Sequence, residues 1–156
     1  ISVCILVLFL TDNDVKSQDI KISDGDTIKI NGVKIRFSGI DAPESYFLGK
    51  KQTCKLEEKV IFCGEISKNK LIKKIGNNSV DCILEKNKDK YKRSIGECFV
   101  KGESLSVYMV RNGYALDWPR YSKGKFSKEQ EFAKDNKLGI WAMKFEFPWV
   151  WRANNR

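Results

Sequence analysis

Three short stretches near the start of the chain, residues 19–23, 26–30 and 33–38, alternate apolar and polar positions. Alternation of period two belongs to half-buried strands, whose successive side chains point to opposite faces. Ile28 and Ile30 share one face, and Val33, Ile35 and Phe37 share another. Asn31-Gly32 between them tolerates positive φ at both positions, which predicts a two-residue hairpin turn. Residues 39–53 break into a turn-rich, lysine-bearing stretch. Residues 64–75 regain a helical period, with Ile66, Leu71, Ile72 and Ile75 on one face and Gly76-Asn77-Asn78 as the stop. Two β-like runs, 79–85 and 91–100, are joined by the polar residues 86–90 and predict a second hairpin. Residues 104–112 read as a helix with Leu105, Tyr108 and Met109 inward and Gly113 ending it. A last helix is expected from Ser127, where Gln130 three residues on completes a capping box, to Gly139. Strands first, with helices interleaved and trailing, predict a mainly β, α+β fold: a small closed barrel flanked by helices.

The first ten residues, ISVCILVLFL, stand apart from this pattern. An uninterrupted apolar run of that length is too short to cross a bilayer, which takes about twenty residues. It matches the apolar core of a truncated signal peptide, with small residues at Val15-Lys16-Ser17 for cleavage, or of a membrane anchor. A buried first strand is the alternative. The expected organisation is thus a leader or anchor with a short linker over residues 1–18 and one folded domain over 19–156. Export places the domain in a secreted or periplasmic setting, where cysteines pair. Setting aside Cys4 in the apolar run leaves Cys54, Cys63, Cys82 and Cys98, which allow three connectivities. The second hairpin would put Cys82 and Cys98 on neighbouring strands, favouring the pairs 54–63 and 82–98 over four buried thiols.

Charge and one absence narrow the chemistry. The 156 residues carry 29 Lys and Arg against 20 Asp and Glu, a net charge of +9, which favours a polyanionic partner or simply a well-solvated surface. There is no histidine, so histidine-based triads and histidine-ligated zinc are excluded, and any general base must be a carboxylate, Lys, Tyr or Cys. Asp24 and Asp26 lie at the entrance of the first hairpin and Asp41 and Glu44 just past its exit, with Arg36 on the outgoing strand. The hairpin folds these ends back near each other. Carboxylates gathered in this way attract a hard cation such as Ca²⁺. Each block taken singly reads equally as turn chemistry and surface salt bridges.

Taken in order, three blocks resemble the signatures of the staphylococcal nuclease (thermonuclease) family: Ser23-Asp24-Gly25-Asp26-Thr27, Ile35-Arg36-Phe37-Ser38-Gly39-Ile40-Asp41-Ala42-Pro43-Glu44, and Asp89-Lys90-Tyr91-Lys92-Arg93. The similarity runs on through Val110-Arg111-Asn112-Gly113-Tyr114-Ala115 and Leu138-Gly139-Ile140-Trp141, covering nearly everything from Asp19. The cysteines and the Pro148-Trp149-Val150-Trp151 ending look like an exported, disulfide-bearing bacterial branch. The resemblance implies a five-stranded oligonucleotide-binding (OB) barrel with about three helices and a Ca²⁺-dependent endonuclease acting on DNA and RNA. It assigns Ca²⁺ to Asp26, Asp41 and the Ala42 carbonyl, water activation to Glu44, and the scissile phosphate to Arg36 and Arg93. Lys90, Tyr91 and Tyr121 would contact the nucleotide. Trp149 and Trp151 would either stack on bases or, the favoured reading, pack the tail onto the barrel. A monomer without an obligate protein partner is expected, with membrane anchoring possible through the N-terminal segment. The competing readings are a catalytically inactive OB module that binds nucleic acid and a surface domain held to anionic polymers by charge alone.

Overall fold

The computed structural model describes residues 17–156; the apolar run at 1–10, Cys4 and most of the expected cleavage point lie outside the described residues. Strands β1 (Ile20–Asp24), β2 (Thr27–Ile30) and β3 (Val33–Phe37) form an antiparallel meander. Asn31 at φ 48° and Gly32 at φ 87° make the turn between β2 and β3, as their small or absent side chains permit. Ile28 is fully buried, as are Ile35 and Phe37 to within a few per cent, while Val33 at the turn is exposed.

The second hairpin pairs β7 (Asp81–Leu84) with β8 (Ser94–Val100), and β8 lies parallel to β3. The sheet order is therefore β1-β2-β3-β8-β7, with β9 (Glu103–Ser104) added beside β8. Five main strands in this order make the expected OB arrangement. Among the described residues no backbone ladder joins β1 to β7, so the barrel stays open there. A side chain spans the gap: the Gln18 amide donates to the Val80 carbonyl at 3.0 Å and accepts the Val80 N–H at 2.8 Å.

Three helices match those expected. Helix α1 (Cys63–Ile75) buries Gly64, Ser67, Leu71 and Ile75, whereas Ile72, placed on the inner face by the sequence reading, is 43% exposed. Helix α2 (Leu105–Arg111) buries Leu105 and Met109 completely, and Ser104 caps it by accepting the Val107 N–H. Helix α4 (Ser127–Asp135) lacks the expected capping box. Phe126 holds the cap position, and the Gln130 side chain instead accepts the Asp117 backbone N–H at 3.0 Å. Two short helices are additional: α3 (Pro119–Ser122) and α5 (Pro148–Asn154), each opened by a proline whose missing N–H costs nothing in a first turn. No helix among the described residues is long and apolar enough to cross a membrane.

Both expected disulfides are present. Cys82 and Cys98 are directly opposed in the β7–β8 register, and Cys54–Cys63 links β5 (Cys54–Leu56), which pairs with β6 (Lys59–Ile61), to the first residue of α1. In the loop-entropy model each contributes about 2–4 kcal/mol. All four cysteines among the described residues are thereby oxidised, as cysteines commonly are in oxidising compartments.

Candidate active site

The first hairpin and the segment after it bring their charged residues to one end of the sheet. A two-stranded ladder fixes that segment: β4 (Ile40–Asp41) pairs with β10 (Leu116–Asp117). Arg36, directly opposite Thr27 in register, reaches across the opening of the hairpin. One of its nitrogens meets Asp26 Oδ1 at 2.6 Å, and the other meets Asp41 Oδ1 at 2.7 Å and the Ile40 carbonyl at 3.1 Å. Asp26 accepts the Ala42 backbone N–H on Oδ2 and the Thr27 hydroxyl on Oδ1, both at 2.8 Å. Asp26, Arg36, Asp41 and Ala42 thus form one bonded unit. A fork-shaped guanidinium can join two carboxylates in this way, and lysine could not hold the same geometry.

Glu44 is held by its backbone. Its N–H donates to Gln52 Oε1 at 3.0 Å and its carbonyl accepts the Gln52 N–H at 3.0 Å, while the Gln52 amide reaches the Glu146 carbonyl. Gln52 is fully buried. Gly64 abuts the same peptide, where an added Cβ would meet the Glu44 carbonyl oxygen at 1.9 Å. No side chain fits there, so the second residue of α1 is a glycine. The Glu44 carboxylate itself bonds Arg152, an arginine the sequence reading did not single out. Arg152 comes from α5 and also takes Asp41 with both nitrogens, at 3.0 Å and 2.7 Å. It lies 111 residues from Asp41, and no local pattern marks it.

The charges are unevenly satisfied. Burial raises the Asp24 carboxyl, the neighbouring Asp26 and Glu44 raise it further, and it titrates at about 8 despite the Ser45 N–H. In that state it donates a hydrogen bond to Glu44. Burial also works to raise Asp26, but Arg36, the Ala42 N–H and the Thr27 hydroxyl outweigh it and hold Asp26 below the usual carboxylate range. Burial pushes Asp41 up, with Arg152 pulling against it, and Glu44 is raised by burial and by the Asp26 charge. Both arginines lose by burial and gain more from their carboxylates, so each is held more firmly charged than in water.

Asp24 carries a consequence for stability. Unfolded, it loses its proton near its ordinary value of 3.8; folded, it keeps it until about 8. Across that window the native state binds more protons, so raising pH destabilises the fold. In metal-free buffer, Asp24→Asn is expected to match the parent near pH 4 and to be more stable at pH 9. The gain should be on the order of 2 kcal/mol after allowing for solvent screening. Asparagine keeps the acceptor for Gly25 and Ser45, so equal urea midpoints at both pH values would refute the expectation.

The other expected residues lie around this cluster. Arg93 immediately precedes β8, two residues before Ile95, which pairs with Arg36 across the parallel ladder. It is not bonded to the cluster: its guanidinium meets Asp89 at 2.6 Å, and its backbone N–H bonds the same carboxylate. Burial works to raise Asp89, but the backbone N–H and guanidinium of Arg93 and the Tyr91 N–H together outweigh it and hold Asp89 below the usual range. Lys90 and Arg93 both lie over the ring of Tyr91, which is 60% exposed. Tyr121, in α3, stands edge-on to Trp118 at 4.6 Å with its ring largely exposed. Trp151 is buried against Phe47, and Trp149 stacks on Trp118 at 5.6 Å, so both tail tryptophans pack as expected.

The donor chemistry suits a hard cation: buried carboxylate oxygens, no sulfur or imidazole, and four acidic groups against two guanidiniums. Yet among the described residues no three acidic side chains converge on one point as metal ligands do. The bonds explain why. Arg36 lies between Asp26 and Asp41, and Arg152 between Asp41 and Glu44.

Known proteins are similar to this chain in sequence. The succinoglycan biosynthesis protein ExoI of Rhizobium meliloti strain 1021 is 30% identical over 122 residues, which cover 77% of this chain and 61% of that protein. An uncharacterized endonuclease of Haemophilus influenzae is 30% identical over 129 residues, covering 79% of this chain and 64% of its own length. The staphylococcal-like nuclease CAN1 of Arabidopsis thaliana is 29% identical over 125 residues, covering 79% and 34% respectively. The chain thus spans less than two thirds of each of these relatives. The family model described as staphylococcal nuclease homologue matches residues 34–143, from the strand that carries Arg36 to just past the short 3₁₀ turn Gly139–Ala142. With the OB sheet and the bonded cluster of Asp26, Arg36 and Asp41 in place, the chain belongs to the staphylococcal nuclease homologue family.

Proposed function

We propose that this protein is an exported, Ca²⁺-dependent endonuclease that hydrolyses the phosphodiester bonds of DNA and RNA with little sequence preference. The observation that carries the reading is the convergence of Asp26, Arg36, Asp41 and Glu44 at one end of an OB sheet, in a chain of this family. Two relatives are themselves named as nucleases.

Asp26, Asp41 and the Ala42 carbonyl would hold the ion, which when bound offsets the negative charge of the phosphodiester. Glu44 orients the attacking water and takes its proton. Burial and the Asp26 charge raise its carboxyl, and so make it a stronger base than an exposed glutamate. Arg36, fixed by two carboxylates, presents a preoriented guanidinium to the charge that develops on the phosphoryl oxygens. Arg93 approaches from the neighbouring strand end and exchanges Asp89 for a phosphate oxygen. Lys90, Tyr91 and Tyr121 flank the nucleotide, and none of these contacts reads base edges. The two disulfides and the apolar residues 1–10 fit export, with that run serving as leader or anchor.

The test is to incubate the purified chain with plasmid and with RNA, in Ca²⁺ and in EDTA. Cleavage of both polymers that stops in EDTA is expected. Nucleic-acid binding without cleavage under either condition would replace this reading with an inactive binding module.

A further inference from the structure

Arg152 sits where its neighbours leave a cation no free route. Asp41 Oδ1 accepts from Arg36 at 2.7 Å and from Arg152 at 3.0 Å, and Oδ2 accepts from Arg152 at 2.7 Å. A carboxylate oxygen offers about two acceptor positions, so Oδ1 is saturated by two guanidiniums. The Asp41 side chain has no exposed surface, while Arg36, Arg152 and Glu44 each keep 13–15%. Asp41 is thus covered, in part by the two arginines bonded to it.

The two arginines are not equally replaceable. Arg36 lies within the sheet and is bonded to Asp26, Asp41 and the Ile40 carbonyl. Arg152 rides on the seven-residue α5, beyond the 34–143 stretch that matches the family model. Its other bond is to Glu44, and its guanidinium also faces the Trp118 ring at 5.6 Å, a second place for its charge. With Arg36 already on Asp41, a divalent ion and a second guanidinium cannot both join that carboxylate without strong mutual repulsion at low dielectric.

We propose that Arg152 is a positioning residue that stands in the cation's place: it holds Asp41 and Glu44 together in the ion-free molecule and gives up Asp41 when a divalent ion binds. The inference rests on reading Asp41 as an ion ligand. It makes α5, outside the matched family region, the element that sets how tightly the site takes its ion.

Calorimetric titration of Ca²⁺ into the purified chain without nucleic acid tests the exchange. Arg152→Ala is expected to bind Ca²⁺ at least tenfold more tightly than the parent, with Arg152→Lys between them. Its ion-free melting temperature should fall, and added Ca²⁺ should raise it more than it raises the parent's. A side chain with a merely structural role predicts weaker binding in Arg152→Ala. Equal or weaker binding there, with Ca²⁺ binding by the parent intact, overturns the exchange and leaves the calcium reading standing. No Ca²⁺ binding to either chain overturns both. The unaltered protein gives an independent reading: the Arg152 Nε–H NMR resonance should move on Ca²⁺ saturation, and an unmoved resonance at saturation also overturns the proposal.

Discussion

Arg36→Met is expected to lower the stability of the fold by about 3–5 kcal/mol at pH 7, because it leaves buried Asp26 and Asp41 short of a positive charge. Asp26 is 3% exposed and Asp41 not at all, so neither can recover the loss by turning to water. Arg152 still pairs with Asp41, but nothing else neutralises Asp26, whose remaining partners are the Ala42 N–H and the Thr27 hydroxyl. The loss should shrink toward pH 4, where the orphaned carboxylate takes a proton at little cost. On the proposed mechanism, cleavage by the folded fraction should also fall by at least about 10²-fold, the effect of removing one preorganised donor. Urea titrations at the two pH values, with rates measured well below the unfolding midpoint, separate the effects. A stability loss under about 1 kcal/mol would show that the Asp26–Arg36–Asp41 unit is not the keystone its bonding suggests.

Glu44→Gln separates catalysis from architecture in the opposite sense. The loop that carries Glu44 is fixed through backbone bonds to Gln52 and through the tight seat of Gly64, neither of which involves the carboxylate. Glutamine also keeps an acceptor for Arg152. Stability should therefore change little, and the removal of one of several crowded carboxylates offsets part of the weakened Arg152 bond. Turnover should drop by about 10²–10⁴-fold, the usual contribution of a general base, with little change in KM. Near-normal turnover in a folded Glu44→Gln protein would reassign water activation to another group. Asp24, bonded to Glu44 through its proton, would be the first to examine.

The site was legible in the sequence to the extent that it is local. Asn31-Gly32 dictates a tight turn, and a tight turn brings residues on either side of it together, so Asp26, Arg36, Asp41 and Glu44 could be gathered from spacing alone. The same logic placed Cys82 opposite Cys98. Where the reading missed, a distant partner had decided. Ser127 and Gln130 have the spacing of a capping box, but the Asp117 N–H claims the Gln130 side chain and the helix starts without that cap. In β8 the inward residues are Ser94, Gly96, Cys98 and Val100, while the larger Ile95 and Phe99 are only half-buried. At Gly96 the neighbouring strand β7 leaves no room for a side chain, a Cβ there falling 2.6 Å from the Ile83 carbonyl. Hydrophobicity alone would have turned that strand over.

By itself, then, the sequence determined the strand hairpins, the turn, the chemical types at the site and, through the absence of histidine, the kind of catalysis open to them. Those follow from backbone sterics and pattern, which act over a few residues. Arg93 bonds Asp89, only four residues before it, but only the tertiary structure decided that Gln52 clamps Glu44 and that Arg152, 111 residues from Asp41, closes over the carboxylates. Such contacts carry no periodic trace. They exist because the whole core sets where α5 ends and where α1 begins, and a buried carboxylate then bonds whichever cation the packing delivers.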